Sequence, residues 1–154
     1  MSDFIPIARP LIADEEKKRV LEVLDSGFLT AGKYVKEFEE QFSSYIGTRY
    51  GIACSSGTTA LHLAVASLGI TSGDEVLVSS LTNMATFFAV LYQGATPIPV
   101  DIERDTWNID PALVEGKITS RTKAIMVVHL YGHPVDMEPI LKEASKHNLY
   151  TIED

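Results

Sequence analysis

Cysteine and tryptophan are nearly absent from this chain, which has one residue of each among 154. A lone thiol, Cys54, cannot close an internal disulfide, which argues against a disulfide-stapled secreted module and fits a reducing cytoplasm. Long apolar runs are also missing, since none approaches the ~18 residues of a membrane-spanning helix. The amino terminus lacks the basic and apolar regions of a signal peptide. The sequence therefore predicts a cytoplasmic protein without a membrane partner.

Basic residues are in deficit, with 13 Lys and Arg against 21 Asp and Glu and a net charge of −8. This balance argues against nucleic acid as a partner, although one basic pocket could still bind a phosphate. Hydrophobic residues make up 45% of the chain, a globular composition. A chain of this length could bury roughly 70% of its unfolded surface as one domain.

The order of helix and strand patterns predicts the fold class. Residues 1–32 form an N-terminal segment whose helix is predicted to begin with Asp14 as its cap and to end at Gly27. From residue 33 to 154 helical and strand patterns alternate, which indicates right-handed crossovers and an α/β layer fold with a mostly parallel sheet. The strands are predicted at 50–54, 75–79, 96–100, 123–130 and 149–153.

A turn of small residues, Ser56-Gly57-Thr58, leads from the first predicted strand into a helix predicted over 58–68. Free backbone N–H groups and the positive end of a helix meet at such a point, which suits a phosphate. The three-glycine dinucleotide fingerprint and the P-loop pattern are both missing. An ordinary Ser/Thr helix cap explains the turn equally well.

Asp154 follows the last predicted strand and places a carboxylate at its tip. In a doubly wound sheet this point and the glycine turn both lie at the carboxyl edge of the strands, where ligands bind. One end of a phosphorylated cofactor could then meet the turn while its other end meets Asp154. Taken alone, an acidic residue after a strand more often caps the next helix.

Other chemical sites are less well supported. His129, His133 and Asp136 lie close in sequence, but a metal site needs three or four convergent ligands. His129 ends a predicted strand and Asp136 is the predicted cap of a helix, so no metal is expected. A Gly-x-Ser-x-Gly nucleophile elbow is also missing, which argues against a serine hydrolase.

Several sequence blocks, spread over most of the chain, together resemble one enzyme family. They are Gly32, Phe38-Glu39, Ser56-Gly57-Thr58-Thr59-Ala60-Leu61-His62-Leu63, Gly73-Asp74-Glu75-Val76, Gly94-Ala95-Thr96-Pro97, Ile118-Thr119, Thr122-Lys123-Ala124-Ile125, His129-Leu130-Tyr131-Gly132-His133-Pro134 and Ile152-Glu153-Asp154. Their order and spacing resemble the N-terminal part of the DegT/DnrJ/EryC1/StrS family of pyridoxal-phosphate (PLP) aminotransferases. Within that family, Thr106-Trp107 and residues 129–137 are most similar to perosamine synthases.

The resemblance implies a fold and an activity. The fold would be the N-terminal part of a three-layer α/β/α large domain of fold type I. The activity would be transfer of an amino group, from glutamate, to a nucleotide-linked 4-keto-6-deoxy sugar. That chemistry feeds polysaccharide biosynthesis, such as that of O-antigen, or glycoside biosynthesis. The family also implies a homodimer with active sites at the subunit interface.

The resemblance also implies roles for individual residues. Ser56, Gly57 and Thr58 would bind the PLP phosphate, and Asp154 would pair with the pyridine nitrogen so that the ring can accept electrons. Asn83 occupies the position where the family usually has an aromatic residue stacked on the cofactor ring, and it offers no comparable π face.

The family's Schiff-base lysine follows the aspartate by a few tens of residues, and none of the chain's lysines matches that motif. The chain is therefore expected to be truncated at its C-terminal end and inactive alone. Strand 50–54 would lack its in-sheet neighbours, which come later in the family. Two alternatives stay open: a PLP-dependent sugar dehydratase of the same family, with histidine in place of the lysine, and a non-catalytic module that binds cofactor or partner.

Overall fold

The computed structural model describes residue 6 and residues 8–154. The chain divides into two compact units, Met1–Ala53 and Cys54–Asp154. Among the helices in these residues, none combines the length and apolar character that a bilayer crossing needs.

The first unit contains two helices, α1 (Asp14–Ser26) and α2 (Lys33–Ile46). Both end at a glycine in the left-handed region: α1 at Gly27, as predicted, with φ 67°, and α2 at Gly47, with φ 80°. The predicted cap of α1 is wrong by one residue. Asp14 is the first helical residue, and Ala13 is the N-cap. The backbone N–H of Ala13 donates to the Glu16 carboxylate at 2.7 Å, which takes over the capping role.

The strand predicted at 50–54 does not form, because these residues belong to no β-ladder in the described part of the chain. The segment instead packs on α2. The backbone N–H of Ala53 donates to Glu39 Oε1 at 2.9 Å. A Cβ at Gly51 would lie 2.6 Å from the carbonyl oxygen of Glu39, so only glycine permits this approach. A strand exists only with a hydrogen-bonded neighbour, which local sequence does not supply.

The second unit alternates helices with the strands of one sheet. In chain order it contains α3 (Gly57–Ser67), β1 (Glu75–Ser79), α4 (Met84–Leu91), β2 (Thr96–Val100), α5 (Pro111–Val114), β3 (Thr122–Val127), α6 (Met137–His147) and β4 (Tyr150–Glu153). The strands are parallel in the order β2-β1-β3-β4. Strands β1 and β2 match their predictions. Strand β3 ends earlier than predicted because a short 3₁₀ turn, Leu130–Gly132, follows it.

Two hydrophobic clusters cover the two faces of this sheet. On one face, residues of α3 and α4 such as Val65 and Val90 pack with Val78, Met126 and Ile152 of the strands. On the other face, α5 and α6 pack on alternate strand residues; this second cluster includes Leu77, Ile125, Val127, Val114 and Ile140. The three-layer α/β/α architecture with a parallel sheet is confirmed.

The 154-residue chain by itself is expected to be aggregation-prone or molten. Within the described residues, β2 and β4 each have one neighbour, and open strand edges pair with other chains. Helix α4 also exposes Phe88 and Leu91, and Tyr92 is exposed just after its end. Size-exclusion chromatography and thermal melting would test this. A sharp cooperative melt from a soluble monomer would show that the expectation is wrong.

Glu75 makes a pH-dependent contribution to stability at the start of β1. It is 4% exposed and accepts from Thr119 Oγ1 at 2.5 Å and from Arg121 Nε at 2.9 Å. The Thr119 hydrogen bond, followed by Arg121, holds the pKa of this carboxyl below its ordinary value, against the opposing effect of desolvation. At pH values above the unfolded-state pKa of Glu75, the ionised carboxylate therefore stabilises the fold. This contribution disappears as the pH falls through the lower folded-state pKa.

Glu75→Gln should accordingly flatten the decline in stability of the complete protein below about pH 5. Urea midpoints measured across this pH range would show it. Glu103→Gln, which changes a carboxylate outside the sheet, is the matched control. An unchanged pH profile in Glu75→Gln would remove the role assigned to Glu75.

Candidate active site

Asp154 extends the pairing of β4 with β3 by one residue. Its backbone N–H donates to the carbonyl oxygen of Val127 at 2.9 Å, and its own carbonyl oxygen accepts from the backbone N–H of His129 at 3.1 Å. Since both bonds join it to the end of β3, its main chain is fixed at the carboxyl edge of the sheet.

The Asp154 carboxylate has a buried partner that sequence analysis missed. Its Oδ2 accepts from Thr86 Oγ1 at 2.5 Å, and Thr86 is fully buried on α4. Thr86 Oγ1 also lies 2.8 Å from Thr82 Oγ1. Thr82 precedes the N-cap Asn83, and its spacing of four residues from Thr86 is the one local sign that the two hydroxyls lie close together. Only the packing of α4 on the sheet shows that Thr86 meets Asp154.

His129 is fully engaged beside the same strand end. Its Nδ1 accepts from the backbone N–H of Val135 at 3.0 Å, so the proton is assigned to Nε2, which lies 3.1 Å from Glu153 Oε2. Asp136 caps α6 as predicted, accepting from the backbone N–H of Glu138. Two of the residues considered for a metal site, His129 and Asp136, therefore already have structural partners.

The glycine turn forms a helix cap with unused donors. Ser56 Oγ accepts from the backbone N–H of Thr59, and Thr59 Oγ1 accepts from the backbone N–H of Ser56. The backbone N–H groups of Gly57 and Thr58 have no acceptor within the described residues. A Cβ at Gly57 would meet no atom within 4 Å, so the fold itself does not require glycine there. The first turn of α3 thus combines the predicted cap with open donors for an anion.

Chain direction brings these features to the same edge of the sheet. The C-terminal end of α3 leads into the start of β1, at the amino edge of the sheet. The first turn of α3 therefore lies toward the carboxyl edge. Helix α4 leaves from the end of β1, so its first turn lies at that edge as well. Asp154 follows the end of β4. This is the edge at which open α/β sheets bind ligands.

Asn83 has a structural role at this edge. It is the N-cap of α4, and its Oδ1 accepts from the backbone N–H of Ala85 at 2.9 Å. An aromatic residue could not make this cap. The side chain is exposed, and Asn83 lies between Thr82 and the first turn of α4, which contains Thr86.

Residues 10–154 match the sequence profile described as the DegT/DnrJ/EryC1/StrS aminotransferase family. The chain belongs to this family. It is 50% identical, over its whole length, to a GDP-perosamine synthase of Caulobacter vibrioides and 47% identical, over 98% of its length, to that of Escherichia coli O157:H7. It spans 42% of the length of each of these relatives.

Solved structures of similar proteins confirm the predicted fold. NtdA from Bacillus subtilis, with bound PMP, has a TM-score of 0.87 at 42% identity over 92% of this chain and 34% of its own. An aminotransferase from Psychrobacter cryohalolentis has a TM-score of 0.89 at 39% identity over 97% of this chain and 38% of its own. The E. coli GDP-4-keto-6-deoxy-D-mannose-3-dehydratase, with bound hydrated PLP, has a TM-score of 0.88 at 35% identity over 97% and 40%. The second unit is thus part of a fold type I large domain.

A second cluster of titratable groups lies at the opposite, amino edge of the sheet, beside a cavity of about 760 Å³. Glu115, Glu143 and His147 place one possible ligand atom each within 4.8 Å of one another. The Lys146 ammonium contacts both carboxylates, and its hydrogen bond to Glu115 lowers the pKa of that carboxyl. The single positive charge of the lysine thus offsets part of the negative charge of the two carboxylates, and the cluster lies away from Asp154.

Proposed function

We propose that this chain forms the cofactor-binding part of a PLP-dependent enzyme that transfers an amino group, from glutamate, to a nucleotide-linked 4-keto-6-deoxy sugar. The observation that carries the proposal is the carboxylate of Asp154, held by Thr86 at the carboxyl edge of the sheet. The two GDP-perosamine synthases, which match the chain from end to end, support the sugar class.

The residues at this edge fit PLP. The open N–H groups of Gly57 and Thr58, with the Thr58 hydroxyl, would hold the phosphate at the positive end of α3, next to the Ser56 cap. Asp154 accepts only one side-chain hydrogen bond in the described part of the chain, which leaves carboxylate capacity for a cationic N–H. When bound, PLP supplies an electron-accepting ring on which the amino group is carried.

Each residue then has a definable task. The carboxylate of Asp154 holds a proton on the ring nitrogen, because a negative charge next to a pyridinium favours the protonated form. Asn83 caps α4 at the position where the family stacks an aromatic residue, which leaves the outer face of the ring less apolar. Ser56 and Thr59 fix the first turn of α3, so its donors are preorganised.

The same proposal covers partners and location. We infer that the complete protein is a cytoplasmic homodimer that supplies amino sugars for polysaccharide, such as O-antigen, or for glycosides. Support comes from the family membership and from the perosamine synthases that the chain resembles.

A second function is favoured by one observation, the similarity to the GDP-4-keto-6-deoxy-D-mannose-3-dehydratase. We rank this function second, because the identity of 35% is lower than the 50% and 47% of the perosamine synthases. The assay supplies the complete protein with PLP, glutamate and GDP-4-keto-6-deoxymannose. An amino sugar identified by mass supports the proposal, and loss of the 3-hydroxyl oxygen without nitrogen gain identifies the dehydratase. Binding of PLP without turnover would indicate the non-catalytic module.

Thr58→Ala is expected to weaken PLP binding by about tenfold to a hundredfold, since it removes one charge-assisted hydrogen bond and leaves the backbone donors in place. Absorbance titration of the complete apoprotein with PLP would measure the change in Kd. Ser67→Ala, at the other end of α3, is the matched control and should leave the Kd unchanged. Equal affinities for Thr58→Ala and the parent would remove Thr58 from the phosphate site.

A further inference from the structure

We propose that Thr86 is a positioning residue for Asp154, and that Thr82 orients Thr86. The Thr86 hydroxyl holds Oδ2 of the carboxylate and is itself bonded by the Thr82 hydroxyl, which leaves Oδ1 for the ring nitrogen of the cofactor. This inference rests on the proposed function, in which Asp154 pairs with that nitrogen.

The direction of the hydrogen bonds follows from proton counting. An ionised carboxylate only accepts, so the Thr86 hydroxyl must donate its single proton to Asp154. The Thr86 oxygen can then bond Thr82 only as an acceptor, and Thr82 must be the donor. The relay runs from Thr82 through Thr86 to Asp154, with contacts of 2.8 and 2.5 Å. Donation by Thr82 polarises the Thr86 hydroxyl and strengthens its bond to the carboxylate.

The surroundings of the hydrogen bond from Thr86 to Asp154 allow it to fix the orientation of the carboxylate. Thr86 is fully buried, so water does not compete for its hydroxyl. The main chain of Asp154 is already fixed by its bonds to Val127 and His129, which leaves the side-chain rotation of the carboxylate as the freedom to be removed. Thr86 lies 68 residues earlier, on α4, so its contact supplies that restraint from a different layer. Without it, the carboxylate could turn away from the ring nitrogen.

The test compares four variants of the complete PLP-loaded enzyme. Thr86→Val removes the hydroxyl at nearly constant volume, Thr86→Ser restores it, and Thr82→Val removes only the outer donor. Thr122→Val is the matched control, because Thr122 is a buried threonine whose hydroxyl accepts from the backbone N–H of Thr119 at the other edge of the sheet. The readouts are kcat, KM, Tm and the ¹⁵N chemical shift of the ring nitrogen in labelled cofactor.

We expect Thr86→Val to lower kcat by about tenfold, or ~1.4 kcal/mol of activation free energy, with little change in KM for glutamate. Its ring-nitrogen signal should move toward the neutral form. Thr86→Ser should restore both values, and Thr82→Val should shift both in the same direction by less. Thr122→Val should lower Tm and leave the nitrogen signal unchanged.

Two results would overturn the inference. One is a Thr86→Val enzyme with a lower Tm but a parental nitrogen signal. That result would mean that Thr86 only stabilises the contact between α4 and the end of β4. The other, decisive if Thr86→Val does not fold, is a Thr82→Val enzyme with a parental signal and kcat. Asp154→Asn separates this failure from that of the proposed function. If Asp154→Asn also leaves the nitrogen signal unchanged, the role of Asp154 itself is wrong.

Discussion

Replacing Asp154 with asparagine is expected to lower transamination by the complete protein by more than about a hundredfold, the usual cost of removing one preorganised electrostatic group. A neutral amide cannot hold the proton on the ring nitrogen, so the bound ring would be a weaker electron acceptor. The effect should appear in kcat, because the missing charge matters most when electrons move into the ring.

The fold should survive this change. The backbone bonds of residue 154 to Val127 and His129 do not involve the side chain, and an amide oxygen can still accept from Thr86. Single-turnover kinetics and thermal melting would separate chemistry from stability. Glu153→Gln is the matched control, since Glu153 is an exposed neighbouring carboxylate that contacts His129. Turnover of Asp154→Asn close to the parental rate would exclude Asp154 from its assigned role.

The 154-residue chain alone is expected to show no amino transfer with any pairing of glutamate and keto sugar. Its eight lysines are all exposed, and none matches the family's lysine motif. Lys117, Lys123 and Lys146 lie at the amino edge of the sheet, opposite Asp154. Weak noncovalent binding of PLP is expected, since the glycine turn and Asp154 are both present. Without a lysine in position, the resting state from which transfer starts cannot form.

Borohydride reduction after PLP treatment, followed by peptide mass mapping, measures this directly. Scattered substoichiometric labelling of surface lysines is the expected result. The complete protein, treated in parallel, should show stoichiometric labelling of one lysine and serves as the positive control. Stoichiometric labelling of one lysine in the 154-residue chain, accompanied by turnover, would refute the expectation.

Local sequence determined most of the second unit. The alternation of apolar runs and helical spacing placed β1 and β2 at their observed bounds. Strand β1 shows the reason most clearly, because a strand buried on both faces has a near-continuous apolar run. Gly27 at positive φ ended α1 where predicted, since a left-handed residue stops a helix whatever surrounds it. The glycine turn and Asp154 were found for the same reason: the ends of strands and helices are local features, and topology brings them to one edge.

Tertiary structure decided the features in which a residue needs a partner distant in sequence, namely strand pairing and buried side-chain hydrogen bonds. Residues 50–54 have strand-like sequence, but Ala53 and Gly51 contact Glu39 of α2 instead of a neighbouring strand. The bond from Thr86 to Asp154 joins residues 68 positions apart, and no local pattern selects that hydroxyl among the many threonines. Propensity and capping act over a few residues, whereas a ladder or a buried hydrogen bond exists only after the layers have packed.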